Sequence, residues 1–449
     1  MKDDGYRGIW YMNQLTYDEY VYKYSGGLGT YCAKHRPFAV YCPQVDKTFF
    51  CYGGTSRDGH RRLIHMVSYY DHETGRVPRP TILLDKKTDD AHDNPVISLD
   101  REGYVWIFST SHGTSRPSYI HRSKRPYDID EFEPIQPTRL DDEGKEVPMT
   151  NFSYMQVWYE PEFGFLCLFT KYNCPAPRTN LFMCSEDGIR WSRWLRLAAI
   201  EEGHYQISAY RDGRIGVAFN YHPRGKGLNW RTNLYYMESL DFGRTWRTAD
   251  GIELDLPLTQ VDNPALVRDY RSEGLNLYLK DIDFDEEGRP VILYLTSRSW
   301  RPGPEGDPRT WWVTKWDGKV WRSIEVTNSD NNYDTGSIYI EGRTWRIIAP
   351  TLSGPQPYNP GGEMTMWIGE DGGERWRMVR QMTRGSERNH NYARRPLNAH
   401  PDFYAIWADG DCRKPSISNL YICDREGNVK MLPGEMRGEA ELPIRLGAI

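Results

Sequence analysis

One module recurs along nearly all of this 449-residue chain, and that recurrence constrains the fold more than any other feature. Each copy reads as a strand, a tight acidic or glycine turn, a strongly apolar strand, a long polar loop and a third strand. An Asp/Gly turn and a tryptophan-bearing fourth strand often follow. Clear copies are NPVISLDREGYVWIFSTSHG from Asn94, SYMQVWYEPEFGFLCLFTKY from Ser153, YQISAYRDGRIGVAFNYHP from Tyr205, LYLKDIDFDEEGRPVILYLTS from Leu277, TGSIYIEGRTWRIIAPT from Thr335 and RRPLNAHPDFYAIWADG from Arg394, with an N-terminal copy from His35. A four-stranded unit with two apolar faces cannot bury them alone, so neighbours must stack and the stack must close on itself. The pattern predicts an all-β fold: a seven-bladed β-propeller with four-stranded antiparallel blades, forming one domain over 1–449. The blades fall near 30–90, 91–148, 149–200, 201–255, 260–328, 331–383 and 388–435. The terminal segments, Gly5–Met12 or the tail after Leu432, are expected to close the ring.

Composition agrees and narrows the function. Aromatic residues make up 14%, and Gly 40 with Pro 29 supply the turns that many short strands need. A net charge of -5 gives no global basic field for a nucleic-acid backbone, so any anionic ligand must be met by local arginine. No apolar run long enough to cross a membrane is present, and Met1–Trp10 does not read as an export leader. The chain as given therefore reads as soluble and monomeric, with neither a nucleic-acid nor a membrane partner. Its eight cysteines show no CxxC spacing; Cys42, Cys51, Cys167, Cys184 and Cys423 read as small core thiols, and no disulfide is expected.

In such a ring the first strand of each blade lines the channel, and its start shares a face with the loop leaving the second strand. Aligned copies place His35, His92, Asn151, His204, Lys280 or Asp281, Asp334 and Asn391 at the first of these places, with Asn94 beside His92. The second gathers His112, Tyr172, Tyr221 and His222. Tyr154 lies on a channel-lining strand. Arg178 and Arg231 open third strands at equivalent posts on adjacent blades, with Arg116 and Arg309 as weaker counterparts. Such a pair suits the planar, bidentate grip of a carboxylate. Each residue also has a plain structural reading. A histidine beside a strand is often a hydrogen-bonded core group, and an arginine at a strand end often pairs with a nearby aspartate.

The turns SEDGIRW (Ser185–Trp191), SLDFGRTW (Ser239–Trp246) and GEDGGERW (Gly369–Trp376) resemble the Asp-box of sialidase-like propellers, which marks a fold and not an activity. With DAHDNP from Asp90, SHG from Ser111, Arg178 and Arg231, the whole chain resembles the BNR-repeat propellers that act on uronic-acid polysaccharides, the ulvan lyases and L-rhamnosyl-α-1,4-D-glucuronate lyases. The resemblance implies cleavage of a rhamnose–glucuronate linkage by β-elimination, with His92 and His112 as paired active-site histidines. It further implies Arg178 and Arg231 on the uronate carboxylate and Tyr154 or Tyr221 in proton transfer, while the repeat geometry puts Tyr172, His35, His204 and Asn94 around the substrate. A tyrosine beside arginine is expected to have its pKa lowered towards use as a base. GYRGIWYMNQ and YKYSGGLGTYCAKH look like a rhamnosidase-like branch, to which His35 would belong. The resemblance implies a periplasmic or secreted enzyme, although the chain alone leaves the cytoplasm open. No cofactor is required, and a structural calcium or zinc ion stays an open question.

Two other readings compete. A propeller hydrolase of rhamnosidase or sialidase type would add water where a lyase does not. A non-catalytic glycan-binding propeller would use Trp300, Trp311 and Trp312 as an exposed stacking platform.

Overall fold

A computed structural model describes residues 1–56 and 61–447, and these form an all-β propeller with four-stranded antiparallel blades. Strands follow one another outward from the axis. In one blade Ser153–Glu160 pairs with Gly164–Tyr172, which pairs with Arg178–Ser185, which pairs with Leu195–Ala198. The strict alternation of strand side chains explains why the sheets must stack. Along Gly164–Tyr172, Leu166 and Leu168 enter one core with Val217, Phe219 and Met237 of the next sheet, whereas Phe165, Cys167 and Phe169 enter the opposite core with Phe108 and Ile120 of the preceding one. Each such large side chain, fully buried, contributes roughly 1.5–3 kcal/mol.

The Asp-box turns hold the outer hairpins together. Asp187 accepts from the backbone N–H groups of Ile189 and Arg190, and Trp191 Nε1 donates to Gly188 O at 3.1 Å. Trp246 and Trp376 make the same bond to Gly243 and Gly373. Gly188 and Gly243 have φ of 72° and 86°, and a Cβ there would lie 2.7 Å from Trp106 and 2.2 Å from Phe182. Only glycine meets both demands.

Among the described residues six sheets have four strands and one has five. Three smaller sheets lie beside them: the ribbon of Trp10–Leu15 with Tyr22–Gly27, the pair Val77–Pro78 with Ala440–Glu441, and the three strands Thr138–Leu140, Glu146–Pro148 and Arg190–Trp191. Seven uniform repeats do not account for these three. Trp10–Leu15, Tyr22–Gly27 and Ala440–Glu441 come from the tails, and the other four strands come from short stretches within the predicted blades that pair outside the four-stranded order. The fifth strand, Ile444–Arg445, extends the last sheet through Lys430 and Met431. Tyr6 N–H donates to Pro433 O and Gly8 N–H to Ser418 O, so both termini pack on that sheet.

The innermost strands bond to one another around the axis. Ile97 and Val157 N–H donate to Pro37 and Arg36 carbonyls, Gln156 Nε2 donates to Gln206 O, Ser337 Oγ to Ala393 O, and Arg394 to His35 O. Three inner strands carry register irregularities, between Ser153 and Gln156, Leu279 and Asp281, and Asn391 and Arg394. Bulges of this kind re-aim a side chain, and Tyr154, Lys280 and Tyr392 all turn from them towards a cavity at one end of the axis. Tyr154 and Tyr392 adopt φ of 53° and 56°, a strained region for tyrosine.

All eight cysteines are free. Among the described residues no helix is long and apolar enough to cross a membrane. The tryptophan platform is corrected: Trp311 is wholly buried in the core and Trp312 is half-buried, donating to Thr296 Oγ1.

Candidate active site

The cavity encloses about 740 Å3 including its mouth, and its wall draws on most of the inner strands and on the N-terminal ribbon. Of the residues singled out in the sequence, it brings together His92, His112, Tyr154, Arg178, Arg231 and Lys280. Tyr172 stands immediately behind, its hydroxyl donating to Tyr154 Oη at 3.2 Å.

The two histidines stack at 4.0 Å between ring centres, 14° from parallel, and share one carboxylate. Asp90 Oδ1 accepts from His92 Nδ1 at 2.6 Å and Asp90 Oδ2 from His112 Nδ1 at 2.8 Å. Asp90 itself is placed by a short 3-10 turn that it caps, accepting from the His92 backbone N–H. Arg116 backs the arrangement by donating to both Asp93 oxygens and to Asp90 Oδ2. Burial would raise the Asp90 carboxyl, but the charge and hydrogen bonds of the two histidines outweigh it and hold Asp90 well below the ordinary carboxylate range.

The histidines nevertheless differ. His92 also meets Tyr31 Oη at 2.7 Å through Nε2, so both ring nitrogens are engaged, and burial followed by the His112 charge lowers its pKa. His112 is partly exposed at 31% of its side chain, and among the described residues its Nε2 has no hydrogen-bond partner. With Nδ1–H directed at a carboxylate, Nε2 is left as the nitrogen with the open lone pair.

Four arginines occupy related posts at the starts of third strands, and they divide in two. Arg116 is neutralised by Asp93 and Asp90, and Arg309 by Asp307 at 2.6 Å. Arg178 and Arg231 have no carboxylate within ion-pair distance among the described residues, and the Nε of each is buried without a partner. Both guanidinium groups lie against Tyr205, at 5.8 and 4.6 Å from its ring centre, and Arg231 Nη2 donates to Tyr333 Oη at 3.2 Å. No Asp or Glu lines the cavity among the described residues. Two arginines and the lysines Lys23, Lys34 and Lys280 thus surround one space, and burial, the largest influence, lowers all three lysines, Lys280 to about 7.

Several expectations need correction. Tyr221 is fully buried among Phe219, Tyr235 and Trp246, away from the cavity wall. His204 is a core group, with Nε2 accepting from Ile200 N–H at 2.8 Å and Nδ1 bonded to Asn220 O. Asn94 is wholly buried and donates to the Leu28, Gly29 and Tyr31 carbonyls. His35 is also fully buried, beneath Tyr154 and near Thr110, and burial keeps its pKa well down. Repeat geometry located the right end of the channel for these four but not the depth at which each side chain sits. The expected lowering of tyrosine is reversed too: burial first, then Tyr172 and Tyr205, pushes Tyr154 well above its ordinary value, and Arg178 opposes only in part.

Other wall residues carried no sequence signal for this place: Tyr24, Tyr31, Tyr205, Tyr278, Tyr333 and Lys23. The N-terminal ribbon brings Lys23 and Tyr24 across the axis, and Lys23 reaches Asn229 of a distant loop. Asp90 stood in the quoted DAHDNP segment, and its spacing from His92 was the one available hint.

Fold and cavity together define a β-propeller with an uncompensated cationic, tyrosine-lined site at one end of its axis. The chain belongs to the BNR repeat-containing family, whose pattern matches residues 49–329. It is 23% identical to an ulvan lyase of Nonlabens ulvanivorans over 93% of this chain and 92% of that one, and 22% identical to an ulvan lyase of Alteromonas sp. (strain LOR) over 93% and 88%. Solved structures of a PL25 polysaccharide lyase, an ulvan lyase, superpose with a TM-score of 0.70 at 18% identity, covering 94% of this chain and 95% of that one. A form of that enzyme bound to -[GlcA(1-4)Rha3S]- matches equally well, at 17% identity.

Proposed function

We propose that this propeller is a polysaccharide lyase that cleaves a uronic-acid-containing glycan of rhamnose–glucuronate type by β-elimination. The observation that carries the reading is the pair Arg178 and Arg231, two buried cations without a carboxylate, on one wall with a histidine whose Nε2 is open. The ulvan lyases similar to this chain, one of them bound to -[GlcA(1-4)Rha3S]-, support the substrate class.

The chemistry follows from the positions. Arg178 and Arg231 bind the C6 carboxylate and offset the negative charge that grows on C5 as its proton leaves. His112 Nε2 takes that proton; the C5–H electron pair becomes the C4=C5 bond, and the C4–O4 bond breaks. Tyr154, kept protonated by burial, gives its proton to the departing O4. The hydroxyl of Tyr172, donating to Tyr154 Oη, leaves the Tyr154 proton free to point at the substrate. His92 and Asp90 position His112 and do not exchange protons themselves. A hydrolase ordinarily needs a pair of carboxyl groups at the bond, and among the described residues the cavity wall offers none.

We further infer that the seven large sheets form the ring, with the three small sheets attached outside it, and that a glycan too large to enter a cell is met outside the cytoplasm. The test is digestion of a glucuronate- and rhamnose-containing glycan, with ultraviolet absorbance and product mass read together. Unsaturated products that contain no added water are expected; products heavier by one water would overturn the lyase reading.

A further inference from the structure

Away from the cavity, two histidines face each other where the first large sheet meets the last. His72 follows the strand Ile64–Asp71, and His400 lies in the turn before Ala405–Gly410. Their ring centres are 3.8 Å apart at 46°. With Asp402 they form a group whose donor atoms all lie within 4.8 Å of one another. The rings of Tyr41 and Tyr70 pack around them, Tyr41 at 5.3 Å from His72 and 4.9 Å from His400.

The hydrogen bonds already made leave a lone pair in place. His72 Nε2 meets Thr48 Oγ1 at 2.8 Å, while its Nδ1 is buried with no partner. One ring nitrogen tied to a neighbouring oxygen and the other left open is how metal-binding histidines are ordinarily held. Asp402 is largely exposed, with its Oδ2 at 4.0 Å from His400 Nδ1; that nitrogen accepts from the Asp402 backbone N–H at 3.1 Å, so His400 would meet an ion through Nε2 or on release of that bond. Among the described residues one other group, Asp90, His92 and His112, meets the same distance test, but there both Asp90 oxygens are taken by the two histidines and Arg116.

We propose that His72, His400 and Asp402 bind one divalent transition-metal ion of the zinc class, clipping the first sheet to the last across the seam of the ring. Two imidazoles and one carboxylate suit zinc, whereas calcium would require mostly oxygen. Bonds of about 2.1 Å in a tetrahedron place donors roughly 3.4 Å apart, so closure from the present spacing needs only small side-chain rotations, with water as the fourth ligand. The position gives the ion work to do. The two sheets meet there through the Tyr41 N–H to Leu397 O bond of 2.9 Å and the packing of Phe403 on Phe50 and Tyr70. An ion joining both sheets would hold the ring against opening.

The experiment is calorimetric titration of metal-stripped full-length protein with zinc chloride, beside thermal melts. One equivalent is expected, weakened at least tenfold by His400→Ala and by Asp402→Asn and kept by His112→Ala. Zinc should raise the melting midpoint of the unaltered protein saturably and leave that of Asp402→Asn unmoved. Because Asp402 is exposed, its asparagine variant keeps the fold and isolates the ligand. Cobalt(II) in place of zinc should show the visible bands of a tetrahedral site. No bound equivalent, or one indifferent to both substitutions, would overturn the proposal.

Discussion

The cavity wall and the channel floor beneath it are both rich in arginine, yet they treat charge in opposite ways. On the floor Arg36 meets Asp281 at 2.6 Å and Arg395 meets Asp283 at 2.6 Å, with Arg395 also 3.6 Å from Asp281. Burial would raise Asp281, but Arg36 and Arg395 outweigh it and hold the carboxyl below its ordinary value. On the wall Arg178 and Arg231 meet tyrosine faces, a tyrosine hydroxyl and the Leu228 carbonyl, and no carboxylate among the described residues. A buried charge without a partner costs stability, so the fold keeps one only where something else will supply the counter-charge. Paired arginine holds this structure together; unpaired arginine marks where a ligand belongs.

The largest effect expected from that contrast divides the two regions cleanly. Arg231→Met should lower kcat/KM on an acidic glycan by about 10³-fold, as for loss of a donor to a developing anion, while the melting temperature holds or rises. Asp281→Ala should do the reverse, costing about 3–5 kcal/mol in a denaturant titration by stranding two arginines, with activity per folded molecule kept. Parallel losses of activity and stability in both variants would erase the distinction between wall and floor.

The next effect concerns pH. His35, His65, His204, His222 and His390 are buried, and burial is the leading reason that each has a lowered pKa, His204 to about 4. Between the unfolded value near 6.5 and the folded value, the unfolded chain binds the extra proton. Stability is therefore lost as pH falls from about 6.5 towards 4. For His204 alone the span amounts to at most about 3 kcal/mol. Melts of His204→Gln from pH 7 to pH 4 should show a shallower decline than the unaltered protein, with no change in activity at pH 7. An unchanged slope would mean that His204 does not stay neutral in the core.

A smaller effect tests the bridge at the wall. Asp90→Asn keeps the shape but leaves one acceptor oxygen for two Nδ1–H groups, so it should lower kcat by about 10²-fold and shift the pH profile of kcat with little change in KM. Loss of KM alone would make Asp90 a substrate contact and not a positioning residue.

How much of this was legible in the sequence follows from what repeats. The recurring strand pattern carried the blades, because alternation and stacking are properties of every copy. The pairing of Arg178 with Arg231 was visible because those residues hold the same post in adjacent copies, whereas the pairing of His92 with His112 came from the family resemblance. What sets one blade apart from the next was not visible. Bulges at Ser153, Leu279 and Asn391 decide that Tyr154, Lys280 and Tyr392 face the cavity, and a one-residue slip in a strand sends a side chain to the other face. The wall of tyrosines depends on an N-terminal ribbon that belongs to no repeat. Depth was equally hidden: His222 and His112 hold similar offsets in their copies, yet one is wholly buried with Nδ1 on the Gly203 carbonyl and the other opens to the cavity.

The smallest effect tests the most confusable pair. Tyr154 and Tyr221 both belong to the end of the channel by repeat position, and both are almost wholly buried. Burial therefore does not separate them, but surroundings do. Tyr154 Oη meets Tyr172 and stands 6.3 Å, ring to ring, from His112, while Tyr221 Oη accepts from Arg271 at 3.2 Å behind a wall of Phe219 and Tyr235. Tyr221→Phe removes one hydrogen bond to a solvent-facing arginine and leaves the packing ring intact, so it should cost no more than about 1 kcal/mol and change kcat/KM by less than about threefold. A loss comparable to that of Arg231→Met would move the proton donor to the other side of the sheet, and with it the substrate path, because no motion short of repacking the blade could bring the Tyr221 hydroxyl to the sugar that Arg178 and Arg231 hold.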